Sequence, residues 1–180
     1  MNVPTGFIWK DWRRLLKEVG YQVDSKYLSR AAQVTVLSLL NSRYIKKELQ
    51  LFKSQYEKSI ISQPVFILGH WRNGTTLLHE LMGLDTQFAY PNLFEISRPH
   101  TFLYREPFIE RLEANPELDK RPMDNMQVNF RSPGEDESGL AVLCLRSSTI
   151  SWMFPRHEDR YDRYLTFRGV SSAELDQWKA

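Results

Sequence analysis

Pro64-Val-Phe-Ile-Leu-Gly-His-Trp-Arg-Asn-Gly-Thr-Thr76 is the stretch on which the reading of this chain turns. A short, uninterrupted apolar run, Val65 to Leu68, reads as a strand at the centre of a parallel sheet covered on both faces. It feeds a loop bounded by Gly69 and Gly74, and an amphipathic pattern follows from Thr75 to Met82. Two glycines let such a loop curl until several backbone N–H groups and a helix start point at one anion, most naturally a phosphate or a phosphate-like ester.

The glycine separation matches the nucleotide-binding pattern G-x-x-x-x-G-K-[ST], but Thr75 stands where that pattern has lysine. A kinase or phosphohydrolase reading also wants a carboxylate strand for magnesium, and none is visible. The positive charge lies inside the loop, at Arg72, with the Thr75 and Thr76 hydroxyls following it. Arg72-Asn-Gly-Thr-Thr76 resembles the 5′-phosphosulfate loop [KR]-S-G-T-T of sulfotransferases that use 3′-phosphoadenosine 5′-phosphosulfate (PAPS), with Asn73 replacing the usual serine. Asparagine still offers a hydrogen-bonding side chain and tolerates left-handed backbone.

The likeness continues through Phe88 to Glu95, Pro99 to Leu103, Arg121 to Met126 and Ser132 to Glu137, and looks like a bacterial-type branch related to tyrosylprotein and carbohydrate sulfotransferases. It implies an α/β fold of the P-loop-containing nucleotide hydrolase type, mostly helical in the part present, with one clear parallel strand. It also implies PAPS as co-substrate, no metal, and a hydroxyl-bearing acceptor: a carbohydrate, lipid, peptide tyrosine or small metabolite. Arg72, Asn73, Gly74, Thr75 and Thr76 would hold the donor. Arg72 would also stabilise charge on the departing phosphate, and Glu95 is the first choice for the base that takes the acceptor's proton. His100, Asp136 and Glu137 compete for that role, while Asp124 and Asn125 could line the acceptor cleft. Family members carry further strands and an arginine–serine site for the 3′-phosphate. Neither is found here, so residues 63–180 are expected to be the amino-terminal part of a longer domain, preceded by a helical region over 1–62.

Elsewhere the residues speak more plainly. With 180 residues, 42% hydrophobic and 26% charged, the chain can build a core, and its net charge of +2 gives no nucleic-acid signal. The single Cys144 reads as a small apolar core residue. No apolar run approaches a membrane span and no secretory pattern opens the chain, so a cytoplasmic location is expected. Helices are predicted over Lys10–Val19, stopped by Gly20, and through much of Tyr27–Ile60, with Ile45, Leu49, Phe52, Tyr56 and Ile60 as the inward stripe. The apolar Val34–Leu40 stretch, followed by Arg43, Lys46 and Lys47, also allows peripheral membrane contact. A non-catalytic, membrane-peripheral helical protein with a vestigial anion loop is therefore the alternative to an enzyme. Leu77, Leu78, Leu81 and Met82 should face inward from the helix after the loop. Ser132 with Glu135 reads as a capping box for a helix through Leu145, and Ser171 with Glu174 caps a last one.

Overall fold

The computed structural model describes residues 5–60, 63–70, 73–109, 111 and 126–179. They form a helical assembly: α1 (Trp9–Glu18), α2 (Leu28–Lys58), α3 (Thr75–Gly83), α4 (Leu93–Ser97), α5 (Phe102–Arg105), α6 (Asp136–Cys144), α7 (Glu158–Thr166) and α8 (Ser172–Lys179). Short 3-10 turns lie at Ser25–Tyr27, Glu106–Phe108, Ser148–Trp152 and Pro155–His157.

The α/β expectation is not met. Among the described residues there is no sheet, and the one bridge joins Asn92 to Pro133 in antiparallel sense. Val65 to Leu68 is irregular and solvent-exposed, with Phe66 73% and Leu68 89% accessible. A strand exists only through the ladder it shares with a neighbour, and no described segment offers this run one.

The core forms where sequence periodicity and aromatic mass coincide. Trp12, Leu15 and Val19 of the first helix region bury completely against Val34 of α2, Ala141 and Val142 of α6, and Ile150, Phe154, Tyr161 and Tyr164 further on. Phe7, Trp12 and Phe154 stack in series at 6.2 and 6.3 Å between ring centroids. Polar pins fix α1 on α2: the Trp12 indole N–H donates to Thr35 Oγ1 at 2.9 Å, and the Trp9 backbone N–H donates to Ser42 Oγ at 2.7 Å. Gly20, at φ +62°, ends the first helix as expected, since a left-handed residue there costs glycine little.

Helix α2 turns a different face inward from the one its apolar residues suggest. Val34, Ser38, Asn41 and Glu48 are its buried residues, while Leu49, Tyr56 and Ile60 are exposed. Spacings of four, three and seven make a regular helical seam, but the seam is largely polar because each polar member has a partner. Asn41 donates to the carbonyls of Thr5 and Phe7 at 2.8 and 3.0 Å. Glu48 accepts the backbone N–H of Leu103 at 3.2 Å and of Tyr104 at 2.6 Å, capping α5, and also accepts the Tyr56 hydroxyl. Burial and the Glu48 charge push that hydroxyl's pKa up.

Candidate functional site

Gly69 and Thr75, on either side of the loop after Leu68, lie against each other. A Cβ at Gly69 would lie 2.5 Å from Thr75 Cγ2, so any side chain there would force the Thr75 methyl to move. Gly74 is the N-cap of α3 at φ +81°, with no side chain capping the helix start. The Leu78 N–H reaches the Gly74 carbonyl at 3.0 Å, which begins the intrahelical ladder and leaves the N–H groups of the first turn directed out of the helix. Asn73 and Gly74 are exposed and Thr75 and Thr76 half-buried. Arg72, the proposed charge of this loop, lies outside the described residues, as do Asp124 and Asn125.

Helix α3 does not turn its leucines inward. It has no buried residue, and Leu77, Leu78 and Leu81 are exposed. Its contacts are local: the His79 ring meets the Tyr90 ring edge-on at 5.7 Å, and Gly83 sits where a Cβ would strike Tyr90 at 2.6 Å. Amphipathic pattern alone cannot bury a face for which the described structure provides no opposing surface.

The carboxylate candidates gather in one unit. The Leu93 and Phe94 N–H groups donate to the carbonyls of Ser132 and Phe130, at 2.9 and 3.0 Å, and Gly134 N–H donates to Pro91 O at 2.8 Å. Gly134 and Gly139 then let Ile96 of α4 press against the start of α6. Glu95 and the Asp136–Glu137 pair are thereby carried on adjoining segments.

Within that unit Glu95 has a defined local role. Asn92 Oδ1 accepts the Glu95 N–H at 3.0 Å and Glu95 Oε2 accepts the Asn92 N–H at 2.9 Å, a reciprocal capping box. Arg98 does not pair with Glu95. Its Nη1 donates to Ser97 Oγ at 2.8 Å and its guanidinium lies over the rings of Phe94 and Phe130. The box expected at Ser132 and Glu135 is absent: Glu135 is the N-cap of α6 without a side-chain bond, and Ser132 is drawn into a turn in which Asn129 Oδ1 accepts its N–H at 3.0 Å. Asparagine bonding two or three residues ahead competes effectively with a helix cap.

Of the remaining candidates, Glu137 accepts the buried Ser147 hydroxyl, and Asp136 is exposed in the first turn of α6. His100 lies apart from them, its Nε2 buried 3.6 Å from an Asp11 carboxylate oxygen on α1, a separation too long for a hydrogen bond. Cys144 is half-buried; its thiol donates to Leu140 O at 3.0 Å, and burial pushes its pKa up. Among the described residues no group of His, Cys, Asp and Glu could hold a metal ion. Sequence reasoning missed Glu48 altogether, although its position seven residues beyond Asn41 on one helical face was the available signal.

Comparison with known proteins agrees with the loop. The chain is 35% identical over 172 residues to the omega-hydroxy-beta-dihydromenaquinone-9 sulfotransferase Stf3 of Mycobacterium tuberculosis, and equally to that of Mycobacterium bovis. The alignments cover 93% of this chain and 43% of each relative, so the chain spans less than half the length of the curated relatives it matches. It belongs to the sulfotransferase family. No family model matches the chain, and no solved structure does.

Proposed function

We propose that the chain forms the donor-loop part of an enzyme that moves a sulfuryl group from PAPS to an acceptor hydroxyl. The observation that carries this is the close pass of Gly69 against Thr75, with left-handed Gly74 opening an uncapped helix. Such a loop suits a phosphate, and the sulfotransferase relatives favour a phosphosulfate donor. PAPS supplies the sulfuryl group. The backbone from Asn73 to Thr76 holds the 5′-phosphate end, and Arg72 stabilises the charge that develops as this phosphate leaves. Glu95 takes the acceptor proton as the hydroxyl oxygen bonds to sulfur; its Oε2 is engaged with Asn92, and the other carboxylate oxygen is the one offered to the acceptor.

The acceptor carries a hydroxyl, and the hydroxylated dihydromenaquinone in the relatives' name is the first compound to assay. No described helix is long and apolar enough to cross a membrane. Exposed Val36, Leu39 and Leu40 on α2, close in sequence to Arg43 and Lys47, favour contact with a membrane surface as an accompaniment to the activity.

The test uses the full-length protein with labelled PAPS. Arg72→Ala should weaken binding of the desulfated donor at least tenfold, and Glu95→Gln should lower kcat far more than donor affinity. Unchanged donor binding in Arg72→Ala would remove the loop assignment. Full turnover in Glu95→Gln, with loss in Asp136→Asn or Glu137→Gln, would move the base to α6.

A further inference from the structure

A second concentration of positive charge lies well along the chain from the loop, between α2 and the Phe102–Phe108 turns. Tyr44, Arg105, Phe108 and Arg111 line a groove of about 190 Å³. The Arg105 guanidinium carbon is 5.3 Å from the Tyr44 ring centre, and that of Arg111 is 5.7 Å from Phe108. Lys47 borders the same region, its ammonium donating to the Tyr104 hydroxyl at 3.1 Å.

Among the described residues no carboxylate lies within ion-pair distance of Arg98, Arg105 or Arg111. Glu48, on the buried seam of α2, is already occupied by the Leu103 and Tyr104 N–H groups and the Tyr56 hydroxyl. Glu106, the residue after Arg105, is exposed. Arg105 makes one long contact to Asn41 Oδ1 at 3.5 Å, and the buried Nε of Arg98 has no hydrogen-bond partner. Burial and then the charge of Arg105 lower Arg98 to about 10, and burial lowers Arg105. Half-buried guanidiniums without a counter-charge are unfavourable, and their planar donor forks fit an oxyanion better than any neutral group.

We propose that this groove is an oxyanion-binding site, in which Arg105 and Arg111 grip a phosphate, sulfate or carboxylate group beside the Tyr44 and Phe108 rings. Arg98 and Lys47 add long-range attraction without having to touch the ligand. The site stands whether or not the donor loop binds PAPS.

Calorimetric titration of full-length protein with inorganic phosphate, sulfate and acetate, at constant ionic strength in chloride, tests it. Wild type and a Thr75→Ala/Thr76→Ala loop variant should both bind at this site, the tightest of the three identifying the oxyanion. Arg105→Gln/Arg111→Gln in the loop-variant background should lose at least tenfold in that affinity. Because Arg111 is exposed, Arg111→Gln alone keeps the test open if Arg105→Gln misfolds, and a several-fold loss is expected. Binding that disappears with the loop variant alone, or that survives both arginine replacements unchanged, would overturn the proposal.

Discussion

Leu15 on α1 and Leu81 on α3 are both leucines on helices whose sequences promise an inward face. Leu15 is wholly buried, whereas Leu81 is 56% exposed. The first helix is closed over by α2, α6 and the aromatic series through Trp12, while among the described residues α3 touches little beyond Tyr90. The region with the clearest functional signature is therefore the one with least packing of its own. An anion loop needs its backbone shape and its glycines, both local properties; a core needs surfaces from distant parts of the chain.

The largest test of that contrast is truncation on both sides of it. Leu15→Ala should cost about 3–5 kcal/mol in denaturant unfolding, and Leu81→Ala under about 0.5 kcal/mol. An equal loss at Leu81 would mean that α3 is covered in the full-length protein and that the contrast does not survive there. Next comes the buried seam of α2. Glu48→Ala strands two backbone N–H groups and the Tyr56 hydroxyl, and about 2–4 kcal/mol should be lost, with Glu48→Gln recovering part of it. A neutral Glu48→Ala would show that α5 is held by packing instead.

A third test uses acid. Burial raises the pKa of Glu174, but hydrogen bonds from the Ser171 N–H and hydroxyl and from the Tyr164 hydroxyl, together with the Arg163 charge, outweigh it and bring the group down from 4.5 to about 2. A depressed carboxylate stabilises the fold above its unfolded pKa and loses that contribution as pH falls through the folded value. On the order of 1–2 kcal/mol should disappear between about pH 4.5 and pH 2, and Glu174→Gln should flatten the profile over that window. An unchanged acid limb would assign the sensitivity to other carboxylates.

A smaller effect on stability than at Leu15, Glu48 or Glu174 is expected at the loop. Gly74→Ala meets no atom within 4 Å but must hold φ +81°, so about 1 kcal/mol is expected, together with a loss of affinity for the desulfated donor. If donor affinity is unaffected, the left-handed turn is not part of the anion site.

Local signals were legible wherever a few neighbouring residues decide the outcome. The extents of α1 and α2, the stop at Gly20 and the Ser171–Glu174 cap all follow from short-range sterics and hydrogen bonding. The family could be read from Arg72 to Thr76 for the same reason: the motif is a contiguous stretch of sequence. Tertiary structure decided what local rules leave open. It left Val65 to Leu68 without a ladder, because a strand is a property of two segments. It placed the polar residues Ser38, Asn41 and Glu48 on the buried face of α2, because carbonyls and N–H groups more than thirty residues away in the case of Asn41, and more than fifty in the case of Glu48, were there to meet them. It also brought α4 against α6, joining residues whose separation in sequence hides their nearness in space.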